Sequence, residues 1–294
     1  MLEFKDISMQ DKERYDYYRN KDKTNASEGS FITLFIWNDY YNLQVAENGE
    51  FFFIRFNIKN KVPAYLFPIG SGDVTNALSE LKSYSEEKGE KLKFILTSEK
   101  NKDKAIEFLG EKAQCYSDRD CADYVYLVEK MITLSGKKLH SKRNHLNYFL
   151  ENYNYTYEPV TTKEQIEECA IKAYDMTSAK IKNKNPYEPA AMKAYFENFK
   201  TPEQKGGIIR IDGEIAAMSF GQALTDDTAL IQIELAQEEY RGAYQAINKL
   251  FCENEWADFK YINREEDMGI EGMRKAKMAY RPEFLIDKYV ICEK

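Results

Sequence analysis

The sequence predicts an α/β protein of mixed sheets with helices packed on their faces, arranged as two successive halves. Two observations predict this. Short runs rich in β-branched and aromatic residues alternate with stretches of helical spacing. The order hairpin, strand, helix, strand, helix, strand then occurs once in each half, and a mixed sheet covered by helices is its natural packing. A length of 294 residues accommodates two domains at roughly 100–200 residues each.

In the first half, residues 10–20 read as a helix and FITLFIW (31–37) as an apolar stretch. NLQVAE and EFFFIRF flank Asn48-Gly49, a dipeptide suited to the positive φ values of a two-residue hairpin turn. VPAYLFP (62–68) reads as a strand. Residues 73–88 place Val74, Leu78, Leu81 and Tyr84 near helical spacing, with Asp73 as N-cap. KLKFILT (91–97) is a strand, DKAIEFLGEK a helix and CADYVYLVE (121–129) a strand.

In the second half, residues 137–150 form a helix, NYTYEPV (154–160) a strand, and helices follow near 162–179 and 188–199. GGIIRI and EIAAMSFGQAL flank a tight turn at Asp212-Gly213. TALIQIELA (228–236) is a strand, 244–257 a helix, FKYIN (259–263) a strand, 270–280 a short helix and FLIDKYVICE (284–293) a closing strand. The expected domains are 1–130 and 131–294, with the boundary near Met131–Gly136. The absence of a Pro/Gly/Ser-rich linker there implies an extensive interface.

The net charge of −7 does not advertise the basic face that DNA coating requires. Five cysteines without a CxxC pair suit reduced, mostly buried thiols rather than disulfides or zinc, and two histidines make a poor metal site. The N-terminus is polar and charged, with no signal-peptide core, and no run approaches the ~20 apolar residues of a membrane span. A soluble, cytoplasmic protein without a metal or cofactor is expected.

Three segments carry a resemblance: GKKLHSKRNHLNYF (136–149), EYRGAYQAINKLF (239–251) and NREEDMGIEGMRKAKMAYRPEF (263–284). They resemble the phosphatidylglycerol lysyltransferase C-terminal domain family, a tandem-GNAT group similar in architecture to the Fem-type peptidoglycan aminoacyltransferases. The resemblance implies two GNAT-like (acyl-CoA N-acyltransferase-like) domains, with chemistry in the C-terminal one. The family's named enzymes also carry a large membrane-embedded portion, which has no counterpart in these 294 residues.

In the first segment, Lys138 and Lys142 share one helix side, and Leu139, Arg143 and Leu146 a neighbouring stripe. Lys138, Arg143 and Asn144 are candidate phosphate or carboxylate ligands, an arginine being able to bind oxyanions bidentately. The alternative is a solvated helix face.

In the second segment, Arg241 and Gly242 occupy a strand-to-helix turn where GNAT enzymes present backbone N–H groups to a pyrophosphate. The usual pattern places a basic or Gln residue, then Gly three on, then Gly or Ala two further. Here those positions hold Glu239, Gly242 and Tyr244, which would repel and crowd a pyrophosphate. This departure disfavours acetyl-CoA. Gly242 serving only to open the helix is the other reading.

The third segment follows a strand, where open α/β sheets commonly bind ligands. Asn263, Arg264, Glu265, Glu266 and Asp267 precede a short helix bearing Arg274, Lys275 and Lys277. Acids followed by bases can hold an amino-acid zwitterion, and equally can be an ordinary salt-linked helix start. Glu234, inside IQIELA, would have a raised pKa if buried without a partner and would then suit a base. A partnered structural glutamate is the alternative.

These expectations converge on an acyl- or aminoacyltransferase. Lys138, Arg143, Asn144, Arg241, Gly242, Asn263, Arg274 and Lys277 would bind substrate, and Glu234, Glu265 or Glu266 would handle the proton. The donor would be aminoacyl-tRNA or another phosphate-bearing acyl ester. An acetyl-CoA-dependent N-acetyltransferase and a non-catalytic ligand- or peptide-binding module are the alternatives.

Overall fold

The computed structural model describes residues 2–178 and 186–294. The chain forms two units, Met1–Ala122 with Ile286–Lys294, and Asp123–Leu285. The division falls at Ala122/Asp123 and again at Leu285/Ile286, rather than once between 130 and 131.

In the first unit, β1 (Lys5–Asp6) and α1 (Lys12–Lys21) precede α2 (Phe31–Ile36) and α3 (Asn38–Tyr41). The FITLFI run is thus a helix. Ser30 opens it by accepting the Thr33 N–H at 3.1 Å, and four of its six residues are buried. The hairpin β2 (Leu43–Glu47) and β3 (Phe51–Phe56) follows. Its turn differs from expectation. Gly49 alone has positive φ, and Asn48 instead accepts the N–H groups of Glu50 and Phe51 on its side chain, an Asx-type turn.

VPAYLFP contributes only the short β4 (Ala64–Tyr65), flanked by Pro63 and Pro68, which lack the N–H a ladder needs. After β5 (Ile69–Gly70) comes α4 (Val74–Glu87), capped by Asp73, whose carboxylate accepts from Thr75 N and Asn76 N. It buries Leu78, Leu81 and Tyr84 in a core with Phe53, Phe67 and Phe94. Then come β6 (Lys93–Ser98), α5 (Glu99–Leu109) and β7 (Ala113–Ser117). The sheet runs β1-β2-β3-β4-β6, then the C-terminal strand Lys288–Glu293, then β7, with β5 pairing β3.

The second unit begins with β8 (Asp123–Leu127), α6 (Val128–Thr133), α7 (His140–Asn152) and β9 (Tyr155–Pro159). Next are α8 (Lys163–Ser178) and α9 (Glu188–Glu197). Residue 179, at the end of the expected helix, lies outside the described residues. The hairpin β10 (Gln204–Ile211) and β11 (Glu214–Ala223) turns at Asp212 (φ 50°) and Gly213 (φ 86°), both positive as expected. Then follow β12 (Thr228–Ala236), α10 (Ala243–Glu255), β13 (Tyr261–Asn263), α11 (Glu271–Met278) and β14 (Phe284–Ile286). The sheet order is β14-β8-β13-β12-β11-β10-β9.

FLIDKYVICE is therefore two strands, β14 and β15 (Lys288–Glu293), which join different sheets. Lys288 is buried and donates to Glu28 and to Ser27 Oγ within the first unit. That burial is compatible with a charge only because the carboxylate is beside it.

Candidate functional site

Strands β12 and β13 pair in parallel only over Thr228–Leu230 and Tyr261–Asn263. Beyond Leu230, β12 continues without a strand on that side among the described residues, and a gap opens at the end of β13. A bulge decides what faces it. Phe220 pairs with Ile233 and Gly221 with Ile231, leaving Gln232 unmatched. One extra residue reverses the side to which later residues point. Ala229 and Ile231 before the bulge, and Ala236 after it, lie in the core against α10. Glu234, two residues before Ala236, takes that side too.

Glu234 is partnered there. Arg264 Nη2 donates to its Oε1 at 2.6 Å, and Asn248 Nδ2 of α10 donates to its Oε2 at 2.8 Å. The side chains of Arg264 and Glu234 are 11% and 13% exposed. The Arg264 guanidinium lies 5.6 Å from the Tyr126 ring centre and 5.0 Å from that of Tyr280. Burial, the largest single influence, works against its charge, but the Glu234 carboxylate together with Tyr126, Tyr280 and Cys252 raises its pKa overall. The partnered reading of Glu234 holds, and the expectation of an unpartnered buried base does not.

Lys142 of α7 extends to the same place, its Nζ 4.5 Å from the Tyr280 ring centre. Burial lowers its pKa, and the nearby Arg264 charge lowers it further.

The loop after β13 forms a second network, joined to the first through Arg264. Lys277 Nζ donates to the carbonyls of Arg264 (2.6 Å), Glu265 (3.2 Å) and Glu266. The clamped segment includes Glu265 at φ 53°, and Met268 just beyond it has φ 52°, a conformation side chains adopt reluctantly. Arg274 grips the fully buried Asp267 with Nε at 2.8 Å and Nη2 at 2.7 Å. Tyr124 Oη and the Gly269 N–H also donate to Asp267. Burial pushes the Asp267 carboxyl up, and these donors overcome it, holding it down to about 2. Asn263 is buried, donating to Asp123 Oδ2 at 2.9 Å and accepting the Glu265 N–H at 2.8 Å.

Several residues expected to bind substrate make contacts within the fold. Lys277, Arg274 and Asn263 brace the 263–269 loop, and Glu265 and Glu266 contribute the carbonyls that Lys277 clamps. Arg143 donates to the carbonyls of Leu134 and Gly136, fixing the entry to α7. Asn144 contacts His140 at 3.2 Å on an exposed face, and Lys138 is exposed. Arg241 lies over the Tyr148 ring at 4.2 Å, and its N–H donates to Tyr153 Oη.

Gly242 has φ 91°, and its Cα faces α7 so closely that a Cβ would meet the His145 carbonyl oxygen at 2.1 Å. The start of α10 is thus packed against the chain's own backbone. Asn248, Tyr126 and Tyr280 were not among the expected site residues, and Arg264 and Lys142 lie inside the segments singled out without having been chosen from them. The signal for Asn248 was present: it is a polar residue on the apolar stripe Ala243, Ile247, Phe251. Among the described residues no group of three His, Cys, Asp or Glu side chains is placed to hold a metal, and no helix is long and apolar enough to cross a membrane.

The family profile described as phosphatidylglycerol lysyltransferase, C-terminal, matches residues 19–292. The chain belongs to this family. A crystal structure of a conserved protein of unknown function from Bacteroides thetaiotaomicron is 32% identical, with all of both chains covered and a TM-score of 0.90. The structure of L-PGS from Bacillus licheniformis is 14% identical, with 99% of this chain and 93% of that one covered and a TM-score of 0.71. FemX is 8% identical, with 98% and 96% covered and a TM-score of 0.62. At these last identities the likeness is one of fold, which a tandem GNAT protein from the clavulanic acid biosynthesis pathway shares at 10% identity and a TM-score of 0.50, with 100% and 98% covered. The chain also matches an uncharacterised protein of Mycoplasmoides gallisepticum at 24% over 176 residues, and spans about half (55%) of that relative's length.

Proposed function

We propose that this family member is an aminoacyltransferase, taking an activated aminoacyl ester such as that of aminoacyl-tRNA and passing the acyl group to an amine or hydroxyl acceptor. Membership of the family over residues 19–292 carries this reading. The packing at Gly242 supports it by disfavouring the alternative donor. Acetyl-CoA needs exposed N–H groups for its pyrophosphate, and here Glu239 precedes the turn while the His145 carbonyl backs it.

Ester aminolysis requires no nucleophilic side chain. The acceptor amine attacks the ester carbonyl, the carbon–nitrogen bond forms, and the ester carbon–oxygen bond breaks. The proton lost by the amine is the one the departing hydroxyl needs, so a group that relays it suffices. Glu234, with its two oxygens accepting from Asn248 and Arg264, fixes the side chains beside the gap. Donors aimed at the gap would stabilise the tetrahedral oxyanion and orient both reactants.

The test supplies the purified protein with an aminoacylated RNA minihelix carrying labelled lysine or alanine, or with acetyl-CoA, and a panel of amine and hydroxyl acceptors including phosphatidylglycerol. Label appearing in an acceptor with the RNA donor supports the reading. Turnover of acetyl-CoA with none of the aminoacyl donor defeats it.

A further inference from the structure

Three side chains clustered on the Tyr280 ring carry hydrogen-bond donors without acceptors. Arg264 spends Nη2 on Glu234, while its Nη1 is buried with no hydrogen-bond partner. Tyr280 is 5% exposed and its Oη is likewise buried without a hydrogen-bond partner, the Gln245 side chain lying nearby. The Lys142 ammonium makes no hydrogen bond or ion pair among the described residues. Its contact there is the Tyr280 ring, which also receives the Arg264 guanidinium. Buried donors left without acceptors are uncommon in folded proteins, and a charged one is the costliest kind.

The charges point the same way. Arg264 and Lys142 carry two positive charges, and Glu234 supplies one negative charge. Tyr126, Tyr280 and the buried Cys252 thiol, which burial pushes up to about 12, are neutral at ordinary pH. Among Arg264, Lys142 and Glu234 one positive charge is left over. Asn248 Oδ1, also unpartnered, is an acceptor and would take no part in holding an anion.

We propose that Arg264, Lys142 and Tyr280 form a binding site for a single monoanionic oxygen group, either a carboxylate or a phosphodiester. One edge of the guanidinium is occupied by Glu234, so the site offers single donors from three side chains rather than a bidentate fork. Such a set suits one oxygen carrying one charge, and a phosphate dianion would exceed the charge available. The inference deepens the transferase reading and rests on it for the natural ligand, which would be the free carboxylate of an amino-acid or peptide acceptor or a phosphodiester of the RNA donor.

The experiment follows thermal unfolding of the intact protein against acetate and, separately, dimethyl phosphate, with ionic strength held constant by chloride. A ligand of the native state raises the melting temperature by mass action, and a specific one does so saturably. One probe is expected to saturate, and its identity separates the carboxylate source from the phosphodiester source. Lys142→Met and Tyr280→Phe should each weaken that binding about tenfold, which is about 1.4 kcal/mol. Without added anion, Lys142→Met should melt no lower than the parent, because it relieves the repulsion with Arg264. The proposal is overturned if neither probe gives a saturable rise, or if the rise persists unchanged in both variants. No turnover is involved, so a protein that binds the anion but transfers nothing defeats only the transferase reading. A protein that transfers but binds neither probe defeats only this site.

Discussion

Arg264 Nη2 lies 2.6 Å from Glu234 Oε1, beside the gap where β12 and β13 cease to pair. Thirty positions separate the two residues in sequence. Neither sits on a surface where such a pair would be weak, so each depends on the other for compensation.

Removing one partner should therefore cost more than removing both. Arg264→Met is expected to lose about 3–5 kcal/mol of stability by stranding a desolvated carboxylate. Arg264→Met combined with Glu234→Leu should recover most of it. Denaturant midpoints of the two single variants and the double variant decide the matter, and a double variant no more stable than Arg264→Met would contradict the pairing argument.

Acid should reveal Asp267. Its carboxyl is held at about 2, below the ordinary 3.8. It contributes its full stabilisation above the ordinary value and loses it as pH falls through about 2. The difference amounts to about 2 kcal/mol. Asp267→Asn should lower stability at neutral pH and flatten the parent's decline between pH 4 and 2. A decline of unchanged steepness in the variant would assign the acid sensitivity to other groups.

Arg274→Lys separates a bracing role from a ligand-binding one. Arg274 grips Asp267 with two nitrogens, and a lysine offers a single point of contact. Stability is expected to fall by about 1–3 kcal/mol even without a ligand. An unchanged melting temperature would show the bidentate pair to be idle, and would restore the expectation that this arginine serves substrate.

Gly242→Ala tests the closed start of α10. The new Cβ would meet the His145 carbonyl oxygen in a backbone conformation that alanine resists. A loss of at least about 2 kcal/mol is expected from the clash and strain together. The parent protein should also give no micromolar binding heat with acetyl-CoA in calorimetry. A clear binding isotherm would mean that α7 moves aside and that the turn still accepts a pyrophosphate.

Some of the architecture was legible locally. Asp212-Gly213 has two positive φ values because Asp and Gly tolerate them, and Asp73 caps α4 because its short carboxylate reaches the first N–H groups. β12 spans residues 228–236, as its apolar run predicted. Other elements were silent or misleading. β7, AQCYS, is an edge strand with most residues exposed, so it carries no apolar alternation to detect. Asn48-Gly49 had the composition of one turn and adopted another, because the Asn side chain could satisfy two N–H groups itself.

By itself the sequence determined the α/β class, the order and type of most elements, and through its motif segments the family. Periodicity, capping and turn chemistry act between near neighbours, and those signals are written in consecutive residues. Tertiary structure alone decided which charges serve the fold and which face the gap. Lys277, Arg274 and Arg143 are spent on carbonyls and a carboxylate brought to them by folding, whereas Lys142, one turn from the exposed Lys138, reaches Tyr280. It also decided that β14 and β15, adjacent in sequence, enter different sheets, and that a one-residue bulge turns Glu234 toward α10. Pairings between distant residues depend on register and burial, which no local pattern encodes.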